Sequence, residues 1–156
     1  MKESAIALQT RNRNNIPNSQ SHEISAFEKA QAPYYERKFP HVKFRTPPNP
    51  IYNCHGLTFA SKRTGISLTN ALQTIIHDDG YTIVNRDEVL PGDIIIYYSE
   101  DGDIEHSGIV VSERDKQWKM PLVVSKWGKY SEVVHLAYDC PYTMANARYY
   151  RVTKWD

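Results

Sequence analysis

Pro91-Gly92-Asp93-Ile94-Ile95-Ile96-Tyr97-Tyr98-Ser99-Glu100-Asp101-Gly102-Asp103, running on into Ile104-Glu105-His106-Ser107-Gly108-Ile109-Val110-Val111-Ser112, decides how the chain reads. Leu90-Pro91-Gly92-Asp93 is a turn signal. Residues 94–98 predict a strand apolar enough to be covered on both faces. Asp101-Gly102 between two apolar runs is a hairpin signal, and residues 106–112 predict the partner strand. Downstream, a polar turn at 113–116 leads to a strand over 122–127, broken by Gly128. Residues 132–136 predict a fourth strand, and 148–152 alternate as a closing one.

Upstream of residue 81 the period changes. Leu68, Ala71, Leu72, Ile75 and Ile76 follow the i, i+3, i+4, i+7, i+8 pattern of an amphipathic helix, capped by Ser67 or Thr69 and ended by Gly80. A shorter helix starts near Cys54 and runs to about Lys62 or Arg63, with Gly65 as its stop. Ser25 and Glu28 have capping-box spacing, so a helix over 25–32 is expected, stopped ahead of Pro33. Helices followed by an antiparallel meander define α+β: N-terminal helices packed on an antiparallel sheet of about five strands. Residues 1–45 read as a polar arm and 46–156 as the domain. Residues 1–23 are expected to be loose or extended over its surface.

The chain has 156 residues, 40% of them apolar and 24% charged, as in an ordinary globular domain. The net charge is +1, but residues 1–47 carry +4 and the rest −3. The basic segment is diluted by Asn, Ser, Gln and Pro, which argues for a solvated arm rather than a nucleic-acid partner. The longest apolar run, residues 94–98, is too short to insert in a membrane. Only residues 5–8 are apolar before Arg11 and Arg13, too few for a signal-peptide core. The chain as given is expected to be cytoplasmic, or exported by a dedicated secretion system. Its two cysteines, Cys54 and Cys140, make no disulfide framework.

Cys54 is the candidate nucleophile. It lies in Ile51-Tyr52-Asn53-Cys54-His55-Gly56-Leu57-Thr58-Phe59-Ala60, just after Pro47-Pro48-Asn49-Pro50. A cysteine at a loop-to-helix junction meets outward-pointing N–H groups and the positive end of the helix dipole, and both favour the thiolate. Gly56 removes a side chain beside it, leaving room for a substrate backbone. The base must come from elsewhere. His55 points about 100° away from its neighbour on a helix. His135 sits within an apolar strand. His106, at the expected mouth of a strand, is the better base. No Cys-x-x-Cys or His-x-x-x-His pair supports zinc, and the acidic turn 100–103 lacks calcium spacing, so no metal or other cofactor is expected.

Asn53-Cys54-His55-Gly56, then Pro91-Gly92-Asp93-Ile94-Ile95-Ile96-Tyr97, then His106-Ser107-Gly108-Ile109-Val110, resembles the NlpC-like, CHAP-related branch of the papain-fold cysteine peptidases and amidases. The resemblance covers roughly residues 45–137. It implies a papain-like fold, Cys54 as nucleophile, His106 as base and a third polar residue on the next strand. Ser125-Lys126-Trp127-Gly128 is similar to the Asn-Ser-Trp-Gly of papain-like peptidases, which puts Ser125 in the orienting place. Serine is short for that role, and Lys126 is a poor partner for an imidazolium. His135 or Glu132 competes for the position. Asn53 or Tyr52 is a candidate oxyanion donor, with Trp127 packed near the site.

The implied chemistry is hydrolysis of an amide through a thioester. The implied substrate is a peptide or a peptidoglycan fragment, and a cell-wall-degrading toxin would bring an immunity protein as partner. Transfer or deamidation through the same thioester, and a non-catalytic interaction module, are the rival expectations. Residues 1–45 are also a candidate inhibitory segment, anchored by Tyr34 and Tyr35.

Overall fold

The computed structural model describes residues 3–117 and 119–153. Along the chain these form β1 (Glu3–Ser4), β2 (Gln20–Ser21), α1 (Ala26–Lys38), β3 (Lys43–Phe44), α2 (Cys54–Phe59), α3 (Thr69–Asp78), β4 (Tyr81–Val84), β5 (Ile94–Tyr98), β6 (Ile104–Val110), β7 (Leu122–Lys126), β8 (Glu132–Leu136) and β9 (Arg148–Val152). The architecture is α+β. Its centre is an antiparallel sheet of seven strands, ordered β3-β8-β7-β6-β5-β9-β4, beside a small β1-β2 hairpin. The expectation of about five strands missed β3 and β4. Each joins as an edge strand, β3 on β8 and β4 on β9, and an edge strand needs little apolar patterning because one flank faces solvent.

Both faces of the sheet are covered. On one face Ile94, Ile96 and Tyr150 pack against Ala71, Leu72 and Ile75 of α3, while Val124 meets Leu57 of α2 and Tyr52. On the other, Ile95, Tyr97, Val110, Val123 and Trp127 pack with Phe39 and Cys140. Tyr35 of α1 stands edge-on to the Trp127 ring, centroids 5.1 Å apart. Strand alternation makes this division, since successive residues of β5 feed opposite cores.

Helix α1 begins as its capping box predicts: Ser25 Oγ accepts from Glu28 N, and Glu28 Oε1 accepts from Ser25 N. It does not stop before Pro33 but continues through it to Lys38. An interior proline costs about 3 kcal/mol. The second half offsets that cost by seating Tyr35 on Trp127 and leading Phe39 into the core. Tyr34 remains exposed.

Residues 3–21 are an extended but tied arm rather than a loose one. Ile16 is buried in the α3 core. Thr10 Oγ1 and Asn14 Nδ2 donate to the Asp78 carboxylate at 2.5 and 2.7 Å, and Ser19 pairs with Gly65. At the far side of the sheet, Arg151 makes a two-point ion pair with Asp93, 2.7 and 2.8 Å, locking the start of β5 to β9. No helix among the described residues is long and apolar enough to cross a membrane.

Candidate active site

Asn53 fixes the start of α2. Its Oδ1 accepts from Gly56 N at 2.9 Å and from Ile66 N at 3.1 Å, and its Nδ2 donates to Ile66 O at 2.8 Å. The side chain is therefore a helix cap and a clamp on the 64–66 turn. Its Oδ1 and one of its two Nδ2 protons are committed to this clamp. Gly56 is explained by the same turn: a Cβ there would lie 1.8 Å from the Thr64 carbonyl oxygen. The space expected for a substrate backbone is filled by the protein's own.

Cys54 is the first residue of α2 and is buried, as is Cys140; both are free thiols. The ladder between β6 and β7 pairs Ile109 with Val124 and Val110 with Val123. Upstream of that pair, the backbone N–H groups of Ser107, His55 and Cys54 itself favour the charged form of the Cys54 thiol. The last two belong to the first turn of α2, whose N–H groups have no acceptor within the helix.

His106 lies inside β6, paired with Tyr97, and not at the strand's mouth. The register slips between Tyr97 and Tyr98, so that Glu105 is an extra residue opposite them. This bulge separates two side chains that alternation would place together. Ile104 enters the α3 core, whereas His106 turns to the other face, stacked on Tyr142 with ring centroids 4.0 Å apart and planes at 10°. The imidazole is fully buried, and neither ring nitrogen has a hydrogen-bond partner among the described residues. Cys54 and His106 thus reach β6 from opposite faces. The Ser107 N–H is on the side of the thiol, whereas the His106 ring nitrogens make no hydrogen bond to the sulfur. Tyr142 senses both, stacking on the imidazole and feeling charge on Cys54.

Burial dominates the protonation of both groups. It pushes the Cys54 thiol up to about 11, against the N–H groups of Ser107, His55 and Cys54 and the Lys126 ammonium, which pull it down. It holds the His106 imidazole well below its ordinary 6.5, helped by repulsion from His135 and His55. The resting pair is neutral thiol and neutral imidazole, in contrast to the thiolate that the helix start alone predicts. Desolvation outweighs the dipole here.

None of the candidates for a third member hydrogen-bonds His106. Ser125 Oγ bonds His135 Nε2 at 2.7 Å and accepts from Trp127 Nε1 at 3.2 Å. His135 Nδ1 donates to Leu136 O at 2.6 Å, so Nε2 is its acceptor and Ser125 its donor. Neither Ser125 nor His135 hydrogen-bonds His106. Glu132 is on the α2 face, accepting from the Tyr52 hydroxyl and paired with Lys62 Nζ at 2.9 Å. Tyr52 is thereby committed away from an oxyanion. Trp127 packs among Tyr35, Phe39 and Phe44.

His55 is buried. Its Nδ1 meets Ser107 Oγ at 2.8 Å, Ser107 donates to Thr58 Oγ1 at 2.9 Å, and Thr58 donates to Cys54 O at 3.0 Å. Since Ser107 has given its proton to Thr58, His55 Nδ1–H is the donor. This relay fastens α2 to β6. Three residues near the centre carried weak or no sequence signals: Ser107, hidden in an apolar strand; Tyr142, in a loop without periodicity; and Lys126, a lone cation ending a buried strand.

A wide surface cavity of about 760 Å³ lies beside residues 87–90 and 113–116, remote from this centre. No cluster of metal-ligating side chains occurs among the described residues. No protein-family profile matches the chain, and no curated protein is significantly similar to it.

Proposed function

We propose that the chain is a cysteine hydrolase of the NlpC-like, papain-fold type, cleaving an amide bond in a peptide or peptidoglycan peptide. The observation that supports the reading is a free cysteine in the first turn of α2, beside the β6 residue Ser107, whose neighbour His106 carries a buried imidazole with two unpartnered nitrogens. A buried imidazole with two idle nitrogens costs free energy unless something uses it. A thiol proton and a leaving amine are such uses.

In the proposed cycle, the His106 ring, stacked on Tyr142 at rest, turns toward the thiol, and a ring nitrogen removes the Cys54 proton as sulfur attacks the carbonyl carbon. The Cys54 N–H, at the first turn of α2, donates to the developing oxyanion. The tetrahedral adduct collapses by breaking the C–N bond, and the imidazolium returns its proton to the departing amine. Water, deprotonated by the imidazole, then breaks the thioester, giving an acid and the restored thiol. The neutral resting pair fits transfer of the proton during attack better than a preformed ion pair. Cell-wall peptides as substrate, with delivery as a toxin and an immunity partner, rest on the family resemblance alone.

One observation favours a rival. Cys54 is 7% exposed and His106 0%, with Tyr142 on the imidazole, which also suits a non-catalytic interaction module with an inert buried thiol. Incubating the full chain with muropeptides tests the first reading. New free amines are expected, and should disappear in Cys54→Ala and His106→Ala. No product rules out the cell-wall version. Cys54 alkylation no faster than a free thiol's, and unaltered by His106→Ala, rules out the enzyme.

A further inference from the structure

We propose that Lys126 is a positioning cation for Cys54: its buried ammonium holds the loop that delivers the thiol and supplies the fixed positive charge against which the thiolate forms. This rests on the cysteine-hydrolase reading. Lys126 is fully buried at the end of β7. Its Nζ donates to Asn49 O at 2.6 Å, Tyr52 O at 2.9 Å and Gly128 O at 2.8 Å. All three protons are used, and all on carbonyl dipoles. The remaining approach is the Tyr52 ring, 4.6 Å from Nζ to centroid. Two of the three carbonyls belong to residues 49–52, the segment that enters α2 at Cys54. One ammonium therefore fixes the approach of the nucleophile from behind.

No carboxylate of the described residues forms an ion pair with Lys126. Glu132 is its ladder partner on β8, but the Glu132 oxygens face the Tyr52 hydroxyl, Lys62 Nζ at 2.9 Å and Arg45 Nε at 3.6 Å. A buried cation without a carboxylate partner costs free energy even when carbonyl dipoles solvate it. A partner that is charged only during turnover accounts for its presence. Alternation along β7 points Lys126 to the α2 face and Ser125 to the His106 face, so the cation is set against sulfur and away from the imidazolium. Attraction between Cys54 and Lys126 lowers the one and raises the other. Burial brings Lys126 down to about 8, which leaves it charged at neutral pH. The other titratable groups around the thiol are His55 on α2, His106 on β6 and Tyr142, none of which is cationic in the resting state.

The test is the rate of Cys54 alkylation by iodoacetamide between pH 6 and 8, read by peptide mass against Cys140 in the full chain. Lys126→Met should slow Cys54 about tenfold at pH 7, equivalent to one pKa unit, with Cys140 unchanged. An unchanged Cys54 rate in a folded Lys126→Met overturns the proposal. Should that variant unfold, seen as faster Cys140 labelling, Lys126→Gln decides. Its amide N–H groups can still donate to the carbonyl cage while the positive charge is gone. Slower Cys54 labelling supports the proposal, and an unchanged or faster rate overturns it. Labelling needs no turnover, so failure of the hydrolase reading would show separately, as absence of product with the lysine effect intact.

Discussion

At the scale of single residues, the site is held by contacts too close to tolerate an added atom. Gly56 is the sharpest case. A Cβ would collide with the backbone oxygen of Thr64 at 1.8 Å and approach Tyr52 Cβ at 3.0 Å. Backbone cannot rotate aside as a side-chain tip can, so either α2 or the 64–66 turn must move. Gly56→Ala should therefore destabilise by about 3 kcal/mol or more, the upper range for overpacking, measured as a fall in urea midpoint. A loss under about 1 kcal/mol would mean the turn is pliant and Asn53 does not clamp it. The glycine was legible as a special position; its reason was not. Sequence spacing puts Gly56 beside Cys54 but does not reveal that the chain returns at Thr64 to occupy the gap. Likewise, a proline-rich loop and Asn53 announce a helix start at Cys54, while the counteracting desolvation depends on how α2 packs on β6 and β7.

At the scale of elements, the face on which His106 points is set by one extra residue in β6. Without the slip at Glu105, Ile104 and His106 would share a face. No residue type marks that bulge: Ile104-Glu105-His106 reads as plain alternation. That is why the hairpin of β5 and β6 was legible while the placement of His106 was not. The same holds for the loop between β8 and β9, which bears no periodic pattern yet lays Tyr142 across the imidazole. The ring shields His106 from water and is itself half-buried. Tyr142→Ala should admit solvent, relieve the burial that suppresses imidazole protonation, and raise Cys54 alkylation severalfold at pH 7.5. Tyr142→Phe keeps the stack and should leave the rate near wild type. Equal rates in all three proteins would place control of access elsewhere, α1 being the next candidate through Tyr35 on Trp127.

For the molecule as a whole, the site's burial couples its chemistry to stability. His55 and His135 are both held at about 4 by burial, and His106 is also lowered. An unfolded chain protonates these side chains near 6.5. Between about 6.5 and 4 the unfolded state thus binds more protons than the native one, and stability must fall as pH falls through that window. His55 and His135 each account for on the order of 3 kcal/mol across it, set against a total of about 5–15 kcal/mol for a typical domain. The carboxylates add a second, lower step. Burial raises the Asp93 carboxyl, but Arg151 and the Leu90 N–H outweigh it and hold the group below its ordinary value. Glu132 is held low in the same way by Tyr52 and Lys62. Their stabilisation persists above the ordinary carboxylate range and is lost only as pH drops beneath it. Urea midpoints taken from pH 7.5 to 4.5 should decline from about pH 6.5, before any carboxylate titrates. His135→Gln, which retains an acceptor for Ser125, should make that decline shallower. A midpoint flat to pH 4.5 would show that the histidines take up protons in the folded chain, and the buried neutral imidazole assigned to the catalytic pair would go with it.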